Sequence, residues 1–314
     1  MISKLKLGIM IAGLILGTIG LLPLRAADRI VVSVVYSSDI DPYQQCWDGF
    51  KSYLAEKNVA LWVSKYSLKE QSPEKIIPQI SAEKPQIIFA LGTKAQRMAR
   101  LSFRTIPIVY ALVLEPEDVK DPMMTGVLMD IPAKMRINEI RRICPDRKRF
   151  GIIYSEESAT KAVEIVQYCY EIGLTITARK VVSEKELPDA LTELVKKKID
   201  CFIMVPDTKI YFPQSVKYLL QESLKNKFPV VGLSRFYTKD GALLSFDCDY
   251  KDLGQQAGEI TVQILNGSKP EAIKPVNPRK VDISINTVMA DKIGLSISPD
   301  IIREATYVYG ENSK

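Results

Sequence analysis

Residues 86–101 read Gln-Ile-Ile-Phe-Ala-Leu-Gly-Thr-Lys-Ala-Gln-Arg-Met-Ala-Arg-Leu. The apolar run Ile87 to Leu91 has the composition of a buried strand. Gly92-Thr93 breaks it, and the chain passes straight into the helix-like stretch Lys94 to Leu101. A strand that ends in glycine and a hydroxyl residue at a helix N-terminus leaves backbone N–H groups at the positive end of the helix dipole, where an anion or carboxylate can bind. The same pair also simply starts helices, so its meaning depends on what surrounds it.

The surroundings repeat the pattern. Short runs rich in Val, Ile and Phe alternate with amphipathic stretches, the rhythm of parallel strands covered by helices. In the first half, strands are expected over Ile30 to Tyr36, Ala60 to Tyr66, Gln86 to Leu91 and Pro107 to Leu112. Helices are expected over Tyr43 to Lys57, Pro73 to Ala82 and Thr93 to Phe103. The second half repeats the scheme with strands Phe150 to Tyr154, Thr175 to Val182, Cys201 to Val205 and Phe228 to Val231, and helices Glu157 to Ile172, Glu184 to Lys197 and Gln214 to Asn226.

Two such units imply an α/β fold of two doubly wound parallel-sheet lobes joined by a multi-strand hinge, with ligand held beyond the carboxyl ends of the strands. Glu115 to Pro132, with Pro116, Pro122, Gly126 and Pro132, has the turn chemistry of a crossing between lobes. A second crossing is expected near Gly241 to Asp249, where Ala242 to Phe246 reads as a strand and Leu253 to Leu265 as a helix. Pro270, Pro275 and Pro278 precede a last strand, Val281 to Ile285, and a third crossing. The expected division is 27–128 plus 247–276 for the N-terminal lobe and 129–246 plus 277–314 for the C-terminal lobe.

Lys4 and Lys6 precede the apolar stretch Leu7 to Leu22, followed by Pro23, Arg25, Ala26 and Ala27, the order of a secretory leader. Residues 1–26 are expected to be a signal peptide removed on export, which places the mature chain in the periplasm or otherwise outside the cytoplasm; an uncleaved anchor is the alternative. Without Lys4, Lys6 and Arg25 the formal charge falls from +6 to +3, too little over so long a chain to argue for nucleic acid. Lys196-Lys197-Lys198 reads as the solvated last turn of a helix.

The chain has no histidine and five scattered cysteines without a Cys-x-x-Cys pair. Ser-His-Asp and Cys-His nucleophile systems and imidazole zinc sites are therefore excluded, and no disulfide framework is expected. No Gly-x-Gly-x-x-Gly follows a strand and no Walker loop is present. The chain reads as a binding protein rather than an enzyme, with no cofactor and no metal.

Several segments together resemble the ABC-type substrate-binding protein family that includes receptors for tryptophan and related amino acids. The most specific is Pro278-Arg279-Lys280-Val281 through Ile285-Asn286-Thr287-Val288-Met289-Ala290-Asp291-Lys292-Ile293-Gly294-Leu295. Leu91-Gly92-Thr93-Lys94-Ala95, Ile106-Pro107-Ile108-Val109, Thr125-Gly126-Val127 and Gly254-Gln255-Gln256-Ala257-Gly258 leading to Ile264-Leu265-Asn266-Gly267 are also similar. Departures are Glu115-Pro116, where the family often has Asp-Pro, and the loop Ser37 to Tyr43. The resemblance implies a two-lobed receptor, usually monomeric, that closes on a small molecule and presents it to an inner-membrane ABC permease. A sensing or accessory receptor of the same fold without a permease is the other reading.

An amino-acid-like solute needs N–H and hydroxyl donors for its carboxylate, an acid for its ammonium and an aromatic or apolar wall. Ser37 and Ser38 follow the first strand, and Gly92 and Thr93 the third; these are candidates for the polar head, with an ordinary capping or turn hydroxyl as the rival role for each serine. In the second half the candidates are Tyr154, Asp207, Thr208, Ser234 and Arg235, the last able to pair either with a ligand carboxylate or with Asp240 on the surface. Asp207 also sits where the family pattern has an Asp after Pro; a carboxylate there could take a ligand ammonium or cap the helix near Tyr211. Asp247 and Asp249 lie by the second crossing, where interlobe hydrogen bonds and ligand contact are both open. Tyr36, Tyr43, Tyr110, Tyr154 and Phe236 are the aromatic candidates, with core packing the alternative for Tyr110.

Overall fold

In the computed structural model, which describes residues 29–113 and 121–310, the run Ile87–Leu91 is the central strand of a five-stranded sheet. The elements that build this first lobe are β1 (Ile30–Tyr36), α1 (Asp41–Glu56), β2 (Leu61–Ser67), α2 (Pro73–Glu83), β3 (Ile87–Leu91), α3 (Thr93–Ser102), β4 (Ile108–Val113) and β5 (Met124–Leu128). Their order across the sheet is β2-β1-β3-β4-β5, and every pairing is parallel. Ile87, Phe89 and Leu91 join the core beneath α1, whereas Ile88 and Ala90 join the core beneath α2 and α3. A strand buried on both faces has no polar side to show, which is why its sequence is an unbroken apolar run.

The second lobe follows with α4 (Ala133–Ile143), β6 (Arg149–Tyr154), α5 (Ala159–Glu171), β7 (Thr175–Lys180), α6 (Leu187–Lys196), β8 (Cys201–Ile203), α7 (Pro213–Asn226), β9 (Val230–Gly232), α8 (Arg235–Asp240) and β10 (Leu244–Cys248). After α9 (Tyr250–Leu265) come β11 (Val281–Asn286), α10 (Thr287–Ile293), α11 (Pro299–Glu304) and β12 (Tyr307–Tyr309). The seven-stranded order is β12-β11-β10-β9-β8-β6-β7. One pairing, β10 with β11, is antiparallel. Apolar cores again lie on both faces of the sheet.

Three crossings join the lobes, and topology places all of them at the carboxyl ends of strands. Beyond β5 the chain reaches α4, which packs on α5. Beyond β10 it reaches α9, which packs on α1 in the first lobe. It then returns along Val276, which bridges Val127, and enters β11 beside Cys248. The carboxyl ends of the parallel strands of both sheets therefore converge on the hinge.

Each end of the hinge is tied down. Glu164 of α5 accepts from the Ala133 N–H at 3.0 Å, and Lys161 of α5 pairs with Asp130, so the first crossing is held to the second lobe. Arg279 in the third crossing donates from Nε to both oxygens of buried Asp252 at 3.0 Å and from a terminal nitrogen to Glu259 at 2.6 Å, both acids on α9. Asp249 caps α9 by accepting from the Asp252 N–H.

Several elements depart from the sequence reading. Met124–Leu128 was covered by the turn-rich stretch Glu115 to Pro132, yet it is a buried strand. Gly126 is there because a Cβ would lie 2.2 Å from the Tyr110 carbonyl oxygen, a close backbone approach rather than a turn. α4 was not expected, because its charged residues obscure a one-sided apolar stripe of Ala133, Ile137 and Ile140. The short elements α8, α10, α11 and β12 were also missed, and the strand expected at 242–246 lies at Leu244–Cys248.

The expected leader, Glu115-Pro116 and residues 311–314 lie outside the described residues. Among those described, no helix is long and apolar enough to cross a membrane. All five cysteines are buried and free. Burial pushes the thiols of Cys144, Cys169 and Cys248 up to about 12.

Candidate ligand-binding cleft

Each sheet has a switch point, where successive connections leave to opposite sides and the strand-end loops part. In the first lobe it lies between β1 and β3, and in the second between β6 and β8. These positions hold Ser37 and Gly92 in the first lobe and Ser155 and Asp207 in the second.

At the first switch point, the Ser37 hydroxyl accepts from the Ala95 N–H at 2.8 Å, and its backbone N–H donates to the Leu91 carbonyl at 2.9 Å. Ser37 thus caps α3 from a neighbouring strand, which Gly92 cannot do for lack of a side chain. Tyr43 is hydrogen-bonded to Ser37. Gly92 has φ +87°, and a Cβ there would lie 2.4 Å from the Tyr43 hydroxyl and 2.7 Å from the Ser37 hydroxyl. Thr93 and Lys94 remain exposed at the open end of the helix. Gly92→Ala is expected to disturb both this cap and the backbone, costing about 1–3 kcal/mol; a chemical denaturation curve unchanged from wild type would contradict it.

At the second switch point, Asp207 is 5% exposed. Its Oδ2 accepts from the Ser155 N–H at 2.8 Å and from the Ser158 hydroxyl, and its Oδ1 accepts from the Lys209 N–H at 3.0 Å. The carboxylate ties the loop after β8 to the loop after β6. Thr208 donates its N–H and hydroxyl to Glu157 at 2.9 Å, a tie between the same loops.

Between these loops and the hinge lies a cavity of about 210 Å³. Its apolar lining includes Met129, Ile131, Phe246 and Tyr250, and its charged lining is Asp130, Arg136, Lys161, Glu164 and Asp247. Arg136 occupies the buried face of α4 and donates to the Met204 carbonyl at 2.8 Å. Burial lowers its pKa to about 10, with Asp130, Tyr211 and Glu164 acting the other way. Burial also opposes the charge on Lys161, but Asp130 and Glu164 outweigh it and hold the ammonium above its ordinary value. Asp247 is raised by burial, against which the Arg235 N–H and guanidinium act. Two cations and three acids thus face one small, partly apolar space, with Lys161 paired to Asp130 and Glu164.

Of the sequence-derived residues, Ser37, Ser38, Gly92, Thr93, Asp207 and Thr208 lie at strand ends next to the two switch points, and Ser234 lines the cavity. Tyr154 does not reach it: its side chain lines a groove with Val163, Val166 and Tyr170 along α5 and with Ala178 of β7. The Arg235 guanidinium lies over the rings of Tyr307, 4.8 Å from the centroid, and Phe236, 5.7 Å away. Tyr110 is buried in the first-lobe core, its hydroxyl without a hydrogen-bond partner among the described residues. The sequence reading missed Asp130, Arg136, Lys161 and Glu164. One of them left a trace, since Arg136 interrupts the stripe of Ala133, Ile137 and Ile140 at a position facing the core.

Comparison with known proteins agrees with this architecture. A tyrosine-binding protein of Clostridioides difficile (strain R20291) is 21% identical over 224 residues, 68% of this chain, and the chain spans 64% of that relative's length. A ligand-free, open structure of a substrate-binding protein with adhesive properties from Clostridium difficile superposes with a TM-score of 0.73 at 18% identity, over 90% of this chain and all of that one. A Streptococcus pneumonia ABC domain in complex with L-Trp superposes with a TM-score of 0.58 at 22% identity, over 89% of this chain and 99% of that one. The family model described as ABC transporter substrate binding protein matches residues 30–309. With a match running from the first strand to the last, the chain belongs to the ABC transporter substrate-binding protein family.

Proposed function

We propose that the mature protein is an extracytoplasmic receptor that clamps one amino-acid-like solute between its two lobes and delivers it to an inner-membrane ABC permease, acting as a monomer. The observation that carries this reading is the hinge cavity, where Arg136 offers positive charge and Asp247 negative charge beside an apolar floor, and Lys161 is held by Asp130 and Glu164. A zwitterionic head with an apolar side chain matches that lining better than a sugar, which carries no charge to pair, or a phosphate, which Asp247 would repel.

Support comes also from relatives whose names record tyrosine and L-Trp. The moving bodies we propose are 27–128 with 247–276 and 129–246 with 277–314. Closure would bring Ser37, Ser38, Gly92 and Thr93 onto a solute seated against Thr208, Ser234 and the cavity. Asp207 and Arg235 serve the site indirectly, through the contacts already described, and Tyr154 stays outside it.

A thermal-shift screen of L-amino acids, short peptides, nucleosides and sugars on the mature protein tests the reading. An L-amino acid at about 100 times its Kd adds roughly 2.7 kcal/mol of stability, so the expected result is a clear rise in midpoint within that class. Silence across the L-amino acids, or a response confined to sugars or nucleosides, would contradict it.

A further inference from the structure

We infer that Asp247, at the carboxyl end of β10, is the residue that receives the ligand's ammonium group. This rests on the reading of the protein as an amino-acid receptor and assigns the cation-binding partner within it. Asp207, the carboxylate most prominent in the sequence, has both oxygens occupied by donors of its own lobe. Asp247 differs in each respect that matters. Its Oδ2 accepts from the Arg235 N–H at 2.7 Å, and among the described residues no donor lies on its Oδ1. Its side chain is half-buried and lines the cavity together with Met129, Ile131 and Tyr250.

A second observation points to a missing cation. β10 and β11 pair antiparallel with Asp247 directly opposite Asp282, so two carboxylates project from the same face of the sheet as cross-strand neighbours. Burial raises both acids, and the charge of Asp282 raises Asp247 further. Arg235 is the nearby cation, but its guanidinium is held over the rings of Tyr307 and Phe236. It acts on the acids through its field rather than through a side-chain hydrogen bond. An ammonium in the cavity would complete the hydrogen bonding of Asp247 and offset the repulsion from Asp282. The carboxylate of the same ligand would then lie toward Arg136, which lines the same cavity on α4, whereas Lys161 on α5 is already paired with Asp130 and Glu164.

The test compares L-tyrosine and L-tryptophan with their deaminated counterparts, 3-(4-hydroxyphenyl)propionate and indole-3-propionate, by calorimetry. Wild type should prefer the amino acids by on the order of 10- to 100-fold, the range of one charge-assisted hydrogen bond. In Asp247→Asn, which keeps an acceptor for the Arg235 N–H, that preference should collapse to within a few-fold. In Asp282→Asn, which removes the neighbouring charge and leaves Asp247 intact, it should persist. The assignment is overturned if Asp247→Asn keeps the preference, if both variants lose it equally, or if wild type binds the deaminated acids as tightly as the amino acids. The last comparison needs no variant to fold. A wild-type protein that binds neither amino acids nor their deaminated counterparts would overturn the receptor reading itself, and this assignment with it.

Discussion

Gly254→Val is expected to leave little folded protein, or protein whose melting midpoint falls far below that of wild type. A Cβ at Gly254 would lie 1.8 Å from the Cys46 carbonyl oxygen and 2.8 Å from the Phe50 nitrogen. On the other side of the same contact, a Cβ at Gly49 would lie 1.9 Å from the Lys251 carbonyl oxygen. α1 and α9 therefore meet backbone to backbone, with glycine facing glycine's neighbour in both directions. Neither obstacle is a side chain that can rotate away, so valine must force the helices apart. That separation would open the core of Trp47, Phe50 and Phe89, in which the Phe50 and Phe89 rings stack at 4.2 Å. The loss should be at least ~3 kcal/mol, at the upper end for overpacking. α9 also anchors the second and third crossings, so the damage extends to the hinge. Circular dichroism during heating measures it, and a melting curve like that of wild type would contradict the packing described.

The second large effect is expected at Asp207. Asp207→Ala removes a buried acceptor from three donors at once, the Ser155 N–H, the Ser158 hydroxyl and the Lys209 N–H. Leaving buried donors unpaired should cost about 2–4 kcal/mol. The loops after β6 and β8 would also part, so amide exchange at Ser155 and Lys209 should accelerate. Chemical denaturation with hydrogen exchange checks both outcomes. Loss of amino-acid binding with stability and exchange unchanged would instead return the ammonium-binding role to Asp207.

Gly92 and Asp207 show what was legible in the sequence. The alternation of apolar and amphipathic segments declared two doubly wound lobes, because strands buried on both faces and helices buried on one carry different periodicities. Gly92 and Asp207 were also legible as special positions, since both stand where a strand ends. Their work was not legible. Ser37 fills the α3 cap from 58 residues away, and the partners of Asp207 lie mostly in another loop. A capping residue and a ligand-binding residue are the same letter until the partner is placed.

The hinge cavity was hidden for a related reason. Asp130, Lys161 and Glu164 look like ordinary surface charges: Lys161 and Glu164 are neighbours one turn apart on α5, and only the packing of α5 against the first crossing adds Asp130 to them. β5 was lost among Pro122, Gly126 and Pro132, because glycine needed for close approach to a neighbouring strand has the same letter as glycine in a turn.

The central claim is that a small amino-acid-like solute is held between two lobes that close upon it. Small-angle X-ray scattering of the mature protein, without ligand and then saturated with L-tyrosine or L-tryptophan, tests it most directly. The account predicts that one of these ligands binds saturably and that the radius of gyration falls on binding, since Thr93, Thr208 and Phe236 stand exposed along the strand-end rims. Scattering curves that stay superimposable at saturating ligand would contradict it.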